Sequence, residues 1–328
     1  MVNNSVPSLK LNNGLQIPIV GLGTYARKAE PEQFQQAVEW GIDAGYRHID
    51  TASCYNNEES VGAGIANKIK EGIVKREDLF VTTKLWNDKH AQNDVVPTLK
   101  SQLARLQLNY VDLYLIHWPV SVNDKGEDTA IDYLETWKGM EETVKLGLAK
   151  SIGVSNFNKE QLQRLLQHAS IKPTVNQFEI SPTMTQYELV DFCKSQSVVS
   201  VAYTPLGLIS EARPEFEKYA SIKNDPKIKA IAEKHGKSLA QIGLRYLGLK
   251  VSPYQIPEKS VQRCGRDEVQ RGIPVVPKSF TRSRIQDNIN LFDFQLTEDE
   301  MTVVDNFNLN LRCVPATQFE KYTYFPFH

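Results

Sequence analysis

The sequence predicts an α/β protein in which eight parallel strands close into a (β/α)8, or TIM, barrel behind an N-terminal β-hairpin. Short apolar runs rich in β-branched residues alternate with segments whose apolar residues recur at helical spacing. Eight such runs follow the hairpin, and near-continuous apolar strands are typical of a parallel sheet buried on both faces. Hydrophobic residues make up 41% of the 328 residues, enough for a substantial core. We therefore expect residues 1–328 to form a single barrel domain.

The predicted elements follow one another in a regular order. A hairpin comes first, with Leu9–Leu11 and Leu15–Ile17 joined by the turn Asn12-Asn13-Gly14. The first long helix begins at Pro31, a residue type favoured at the first helical position, and ends at Gly45. The eight barrel strands are predicted at Ile19–Gly23, Tyr46–Asp50, Leu79–Lys84, Val111–His117, Ala149–Val154, Thr174–Glu179, Val198–Tyr203 and Ile273–Pro277.

Residues 249–270 form a polar, proline-containing segment between the last helix before the eighth strand and that strand. A helix-to-strand connection lies on the N-terminal rim of a barrel, opposite the rim that carries active sites. We therefore expect residues 249–270 to be an inserted surface loop remote from the functional site.

The stretch GLGTYA, residues 21–26, fits the G-x-G-x-x-[G/A] pattern of a dinucleotide-binding Rossmann fold, and Asp50 ends the next apolar run. That fingerprint works when the glycine turn opens directly into a helix whose N–H groups face a pyrophosphate. Here residues 27–30 intervene before Pro31. The motif therefore gives the Rossmann fold only weak support, and the rest of the chain has to decide between the two folds.

Composition excludes several classes of protein. The formal net charge is −1, and no basic cluster indicates a nucleic-acid or membrane surface. No segment approaches the ~20 apolar residues of a membrane span, and the first residues lack the apolar stretch of a signal peptide. The four cysteines, Cys54, Cys193, Cys264 and Cys313, have no metal-binding or disulfide spacing. We expect a cytoplasmic monomer with free thiols and no bound metal.

Polar residues stand where three consecutive predicted strands end. Asp50 ends the second strand, Lys84 the third and His117 the fourth, while Tyr55 lies in the loop after the second. In a barrel these positions meet on the face that carries active sites. Each residue alone could cap a helix or satisfy a backbone group, but a lysine at the inner end of an apolar strand needs a partner. Asp50 is the natural partner for Lys84.

This group of side chains suits proton donation by a phenol to a carbonyl oxygen. Tyrosine is a poor acid at neutral pH, and a neighbouring ammonium such as Lys84 is expected to lower the pKa of Tyr55. Asp50 would hold Lys84 in place, and a neutral His117 could donate a hydrogen bond that orients the carbonyl. A carbonyl polarised in this way is ready for hydride attack, and the chemistry requires no metal.

Seven segments, in order over nearly the whole chain, resemble the signature segments of the aldo-keto reductase superfamily. They are DTASCYNNEESVG (50–62), TTKLWND (82–88), YVDLYLIHWP (110–119), IGVSNF (152–157), NQFEISP (176–182), AYTPLG (202–207) and VPKSFTRSRIQDN (276–288). KLWNDKH, NINLFDFQLT and the ending YTYFPFH are most similar to insect members, a group that includes 3-dehydroecdysone reductases.

The resemblance implies a barrel that reduces aldehydes and ketones with NADPH, using Tyr55 as the acid in a catalytic tetrad with Asp50, Lys84 and His117. It places the glycine motif at the end of the first strand, beside the nicotinamide. Ser155, Asn156 and Gln177 would then hold the carboxamide, and Tyr203 would stack on the nicotinamide ring. The other implied cofactor contacts are Gly23, Thr24 and Asp50 near the nicotinamide, Thr204 and Leu206 near the pyrophosphate, Lys278, Ser279 and Arg284 at the 2′-phosphate, and Asp287 and Asn288 at the adenine.

The substrate pocket implied by the resemblance is apolar and aromatic. Tyr25, Trp86, His117 and Trp118 would line it, and the C-terminal tail, residues 309–328, would form a further wall near the active site. Such a pocket suits bulky apolar carbonyl compounds, with 3-dehydroecdysteroids among the expected substrates. The alternative is an NADPH-binding regulatory or sensor barrel with little turnover.

Overall fold

The computed structural model describes residues 6–209, 221–248 and 272–327. The predicted insert at 249–270 lies outside these residues. An N-terminal hairpin pairs β1 (Ser8–Lys10) with β2 (Gln16–Pro18) in antiparallel fashion. Seven parallel strands then form one sheet in sequence order: β3 (Gly21–Gly23), β4 (His48–Asp50), β5 (Phe80–Leu85), β6 (Leu113–Ile116), β7 (Ile152–Ser155), β8 (Val175–Glu179) and β9 (Val199–Tyr203).

Residues 273–278 close the sheet into a barrel. Val275 bridges Val20 on one side and Ala202 on the other, so this segment joins the first strand of the sheet to the last. The main-chain bonds include Ala202 N to Pro274 O at 2.7 Å and Gly21 N to Val275 O at 2.8 Å. The predicted eighth strand is thus paired on both sides but is not a regular strand. The reason is that Pro274 and Pro277 carry no N–H to donate to a ladder.

Helices on the outside of the barrel connect the strands. They are α1 (Pro31–Ala44), α2 (Glu58–Lys70), α3 (Gln92–Leu106), α4 (Tyr133–Lys145), α5 (Lys159–His168), α6 (Tyr187–Ser195), α7 (Ser221–Asn224), α8 (Pro226–His235), α9 (Leu239–Leu247), α10 (Arg282–Ile289) and α11 (Glu298–Asp305). Their apolar faces bury one continuous core against the sheet. None of these helices is long and apolar enough to cross a bilayer.

The hairpin covers the N-terminal mouth of the barrel. Leu11 and Ile17 are buried in a cluster with inward-facing barrel residues, which are Phe80, Leu113, Leu115, Val175, Val201 and Val276. Inward and outward side chains alternate along each strand, so these residues fill the barrel interior. The opposite, C-terminal mouth is left to the strand-to-helix loops.

The glycine motif is part of the barrel wall and does not open a helix. Residues 24–30 separate β3 from α1, whose first residue is Pro31, and Gly45 ends α1 with a φ of 104°. A Cβ on Gly23 would lie 2.5 Å from the carbonyl oxygen of Val276. Gly23 is therefore required by close packing against the segment that closes the barrel. The barrel prediction is confirmed, and the Rossmann alternative is wrong.

Candidate active site

Lys84 and Asp50 form a buried ion pair at the C-terminal mouth of the barrel. Lys84 is 0% exposed, and its Nζ donates to Asp50 Oδ1 at 2.6 Å and to the Thr51 carbonyl oxygen at 2.9 Å. The second carboxylate oxygen of Asp50 accepts from Gln177 Nε2 at 2.8 Å. The lysine therefore has the partner that its burial requires, and the carboxylate is fixed from two sides.

Tyr55 lies directly over this ion pair, in a short 3-10 turn (Ser53–Tyr55) that follows β4. Lys84 Nζ is 5.2 Å from the centroid of the Tyr55 ring, and the ring centroids of Tyr25 and His117 are 5.0 and 5.7 Å away. The expected lowering of the Tyr55 pKa by Lys84 is not found. Burial, followed by the charge of Asp50, raises the pKa of Tyr55 well above its ordinary value.

The physical reason is that Lys84 is already neutralised by Asp50 and faces the ring of Tyr55. An ion pair has little net charge with which to stabilise a phenolate, whereas removal from water disfavours the phenolate strongly. In the chain by itself Tyr55 therefore holds its proton at neutral pH. This is the protonation state that a general acid needs before reaction.

His117 follows β6 and is buried beside Tyr55. Its burial, together with the nearby charge of Lys84, holds the pKa of the imidazole well below its ordinary value, so the ring is neutral. The Trp86 ring packs edge-on against it at 5.1 Å, and the Cys54 Sγ lies 3.6 Å from its Nδ1. The main-chain oxygen of His117 accepts from Asn156 Nδ2 at 2.9 Å. A neutral imidazole donates one hydrogen bond, as a carbonyl-orienting group must.

The residues predicted to hold a carboxamide lie at neighbouring strand ends and contact one another. Asn156 Nδ2 donates to Ser155 Oγ at 3.1 Å, and the Tyr203 hydroxyl donates to Asn156 Oδ1 at 2.7 Å. Asn156 and Thr204 have φ values of 63° and 48°, in the left-handed region that side chains other than glycine seldom adopt. Strained backbone of this kind is concentrated at functional sites. The strand ends are thus built to hold these side chains in fixed directions.

The residue that follows β3 is hydrogen-bonded to residues at the same C-terminal mouth. Thr24 Oγ1 donates to the Asp50 carbonyl oxygen at 3.0 Å, and Asn57 Nδ2 donates to the Thr24 carbonyl oxygen at 2.9 Å. Gly23 bridges Lys278 in the closing segment. The role of Asn57 was not predicted, although its place in the segment DTASCYNNEESVG could have indicated it.

The residues predicted to bind a phosphate lie just before or within the first turn of α10, and those predicted to bind an adenine lie in its last turn. Ser279 and Asn288 are buried, whereas Lys278, Arg284 and Asp287 are exposed. The Thr281 N–H donates to Ser279 Oγ at 3.1 Å, which fixes the hydroxyl beside the helix N-terminus. Within the described residues neither Lys278 nor Arg284 forms an ion pair. Thr204 and Leu206 lie partly exposed in the turn after β9.

Aromatic side chains from the C-terminal tail line one side of the mouth. The Phe319 ring centroid lies 6.4 Å from that of Trp86 and 5.9 Å from that of Trp118, and Phe327 packs on Trp118 at 5.6 Å. Tyr25 lies at the open rim and is 53% exposed. The structure therefore brings all of the predicted substrate-binding side chains to the mouth that holds Tyr55 and His117.

The tail is held in place by contacts that the sequence did not predict. The buried carboxylate of Glu179, at the end of β8, accepts from the main-chain N–H groups of Cys313 at 2.6 Å and Val314 at 2.9 Å. Further along, both the N–H and the hydroxyl of Thr323 donate to Asp128 Oδ2 at 2.8 Å. The sequence did show that Glu179 is a charged residue at the end of a buried strand and so needs a partner. It could not show which partner, because Cys313 and Val314 lie more than a hundred residues away along the chain.

Known proteins resemble this chain over nearly its whole length. The model of the Aldo/keto reductase family matches residues 19–309. The chain is 45% identical to aldo-keto reductase AKR2E4 of Bombyx mori over 98% of both chains, and 39% identical to estradiol 17 beta-dehydrogenase 5 of Mus musculus over 98% of this chain and 97% of that one. A crystal structure of AKR2E4 in complex with NADP has a TM-score of 0.86 at 43% identity, covering 98% of this chain and 99% of that one. The resemblance and the predicted barrel are both confirmed, and the chain belongs to the aldo/keto reductase family.

Proposed function

We propose that this protein reduces aldehydes and ketones to alcohols with NADPH. The observation that carries the proposal is the arrangement of Tyr55 and His117, with ring centroids 5.7 Å apart, over the buried pair of Lys84 and Asp50. A protonated phenol and a neutral imidazole at one mouth of a barrel are two hydrogen-bond donors that can meet on a single carbonyl oxygen.

The donor set of the described residues fits NADPH. Ser155, Asn156 and Gln177 provide hydroxyl and amide groups at consecutive strand ends, which suits a carboxamide. The exposed cations Lys278 and Arg284, next to the start of α10, suit the 2′-phosphate that distinguishes NADPH from NADH. The bound NADP of the Bombyx mori relative supports the same cofactor here. When bound, NADPH supplies the hydride.

The chain's own residues then have distinct roles. His117 would donate a hydrogen bond to the carbonyl oxygen and set the orientation of the substrate. Tyr55 would transfer its proton to that oxygen as the carbonyl carbon is reduced. Asp50 would keep Lys84 in place beneath the Tyr55 ring, where the ammonium would contribute a small part of the stabilisation of the phenolate because Asp50 offsets most of its charge.

The substrates that fit this mouth best are bulky and apolar, and we propose that 3-dehydroecdysteroids are among them. Trp86, Trp118 and Phe319 provide an aromatic surface on which a fused-ring ketone could pack. The mouse relative is named for a steroid, which supports a ketosteroid-like substrate.

Oxidation of NADPH by the purified protein, measured with a small aromatic aldehyde, a sugar and a ketosteroid, tests the proposal. We expect turnover of the aldehyde and the ketosteroid, with the lower KM for the ketosteroid. Fluorescence titration with NADPH provides the control for cofactor binding. Tight NADPH binding without turnover of any of the three compounds would instead favour a regulatory or sensor barrel.

A further inference from the structure

The imidazole of His117 has a thiol beside the ring nitrogen Nδ1. Cys54 Sγ lies 3.6 Å from Nδ1, within the reach of a sulfur hydrogen bond. Cys54 belongs to the 3-10 turn that ends at Tyr55, and this turn is closed by bonds from Tyr55 N to Ala52 O at 3.1 Å and from Asn56 N to Ser53 O at 3.2 Å. The thiol is therefore held on ordered backbone.

The protonation states of the two groups decide the direction of this contact. Burial raises the pKa of Cys54 to about 12, so the group is a thiol with one proton to donate. Burial and Lys84 keep His117 neutral, so its ring has one N–H and one lone pair. Thiol sulfur is a weak acceptor, whereas the lone pair of an imidazole nitrogen is a good one. The favourable arrangement is the S–H group of Cys54 directed at the lone pair of Nδ1.

We propose that Cys54 is a positioning residue for His117: its thiol donates to Nδ1 and thereby reserves the single imidazole proton for Nε2. Edge-on packing of the His117 ring against Trp86 at 5.1 Å and Tyr55 at 5.7 Å restrains the plane of the ring, and the thiol restrains its tautomer. Nε2 is then always the donor. The inference rests on the proposed role of His117 as the residue that orients the carbonyl.

Nitrogen NMR of the imidazoles tests the tautomer without any reference to turnover. The protein is labelled with 15N-histidine, and His117 is assigned among the six histidines as the signal missing from His117→Gln. We expect the Nε2–H tautomer in the wild type, with Nδ1 shifted as a hydrogen-bond acceptor. Cys54→Ala and Cys54→Ser lose nearly the same volume, but only serine keeps a donor. Cys54→Ala should therefore lose the acceptor shift at Nδ1, and Cys54→Ser should keep it.

Kinetics provide the second readout. Loss of one neutral hydrogen bond should lower kcat of Cys54→Ala about threefold to tenfold, with KM for a small aldehyde nearly unchanged. Cys54→Ser should recover most of kcat. Cys193→Ala, which removes a buried thiol on α6, is the matched control and should leave both the His117 signals and kcat unchanged.

Three results would overturn the inference. The first is a wild-type spectrum with the proton on Nδ1, which would reverse the direction of the contact. The second is an unchanged Nδ1 signal in Cys54→Ala, and the third is a Cys54→Ser variant that behaves like Cys54→Ala in both readouts. Either of the last two would mean that Cys54 only packs against His117. Absence of turnover in the wild type would count against the proposed function, while the NMR comparison would still decide the role of Cys54.

Discussion

At the scale of single residues, burial decides the protonation state of the site. It raises the pKa of Tyr55 and lowers that of His117, so the phenol keeps its proton and the imidazole stays neutral. The charge of Lys84 is balanced by that of Asp50, so it does not offset the rise that burial causes in the pKa of Tyr55. Both groups proposed to face the carbonyl are thus neutral hydrogen-bond donors before reaction, and in this proposal charge develops only as the proton moves.

The cofactor preference can be tested at one residue. Arg284→Ala should weaken NADPH binding about tenfold to hundredfold, because an ionic hydrogen bond contributes roughly 1.5 to 3 kcal/mol. NADH lacks the 2′-phosphate and should bind almost as before. Fluorescence titration with both cofactors at fixed ionic strength measures this, since salt alone weakens phosphate contacts.

The control for Arg284 is its neighbour Arg282, which is also exposed and begins α10. Arg282→Ala should change neither affinity by more than about twofold, because Arg282 is not among the residues proposed to contact the 2′-phosphate, and an exposed charge without a direct partner contributes little. An equal loss of NADPH and NADH affinity in Arg284→Ala would mean that Arg284 contacts a group common to both cofactors.

At the scale of elements, the site is assembled from strand ends and closed by the tail. The ends of β4, β5 and β6 bring the four proposed catalytic side chains together, whereas β7 and β8 deliver the amides. The tail enters this arrangement through Glu179 at the end of β8, whose carboxylate accepts two main-chain N–H groups. A single side chain therefore links the strand that carries Gln177 to the wall that carries Phe319.

Glu179→Gln tests that link. Glutamine has only one carbonyl oxygen, so one of the two tail N–H groups loses a good acceptor. The tail wall should loosen, and KM for a bulky ketone should rise about threefold to tenfold while KM for a small aldehyde changes little. Glu320→Gln, at an exposed position of the same tail, should leave both KM values unchanged. Equal effects on the two substrates would show that Glu179 does not act through the wall.

At the scale of the whole molecule, the order of strands and helices could be predicted because it depends on local sequence patterns, such as apolar runs and residues that begin or end helices. Pro31 and Gly45 bound the first helix as predicted, and the apolar runs predicted every strand of the sheet. The irregular eighth segment differs because its two prolines limit its hydrogen bonds. Contacts such as Cys54 with His117 join residues far apart in sequence and carry no local signal.

Stability of the whole molecule should depend on pH through its buried histidines. Burial lowers the pKa of His48 from 6.5 to about 4 and that of His90 to about 3, and it lowers that of His117 as well. Below pH 6.5 the unfolded chain binds protons that the folded chain does not, so the free energy of unfolding should fall as pH drops from 6.5 towards 4. Each buried histidine contributes up to ~1.4 kcal/mol per pH unit.

Urea unfolding over this pH range measures the slope. His90→Gln should make the slope shallower by the contribution of one histidine, whereas His168→Gln, at an exposed position, should leave it unchanged. A slope in His90→Gln equal to that of the wild type would show that His90 gains its proton in the folded protein as readily as in the unfolded chain.

The central claim, that Tyr55 supplies the proton in carbonyl reduction, is tested most directly by kcat and NADPH affinity measured together in Tyr55→Phe. Phenylalanine keeps the ring that packs on Tyr25 and His117 and removes only the hydroxyl. Loss of a general acid lowers turnover by about two orders of magnitude or more, so kcat should fall to that extent while the Kd for NADPH stays within about twofold. Turnover near the wild-type rate, with cofactor affinity intact, would contradict the account and assign the proton to another group.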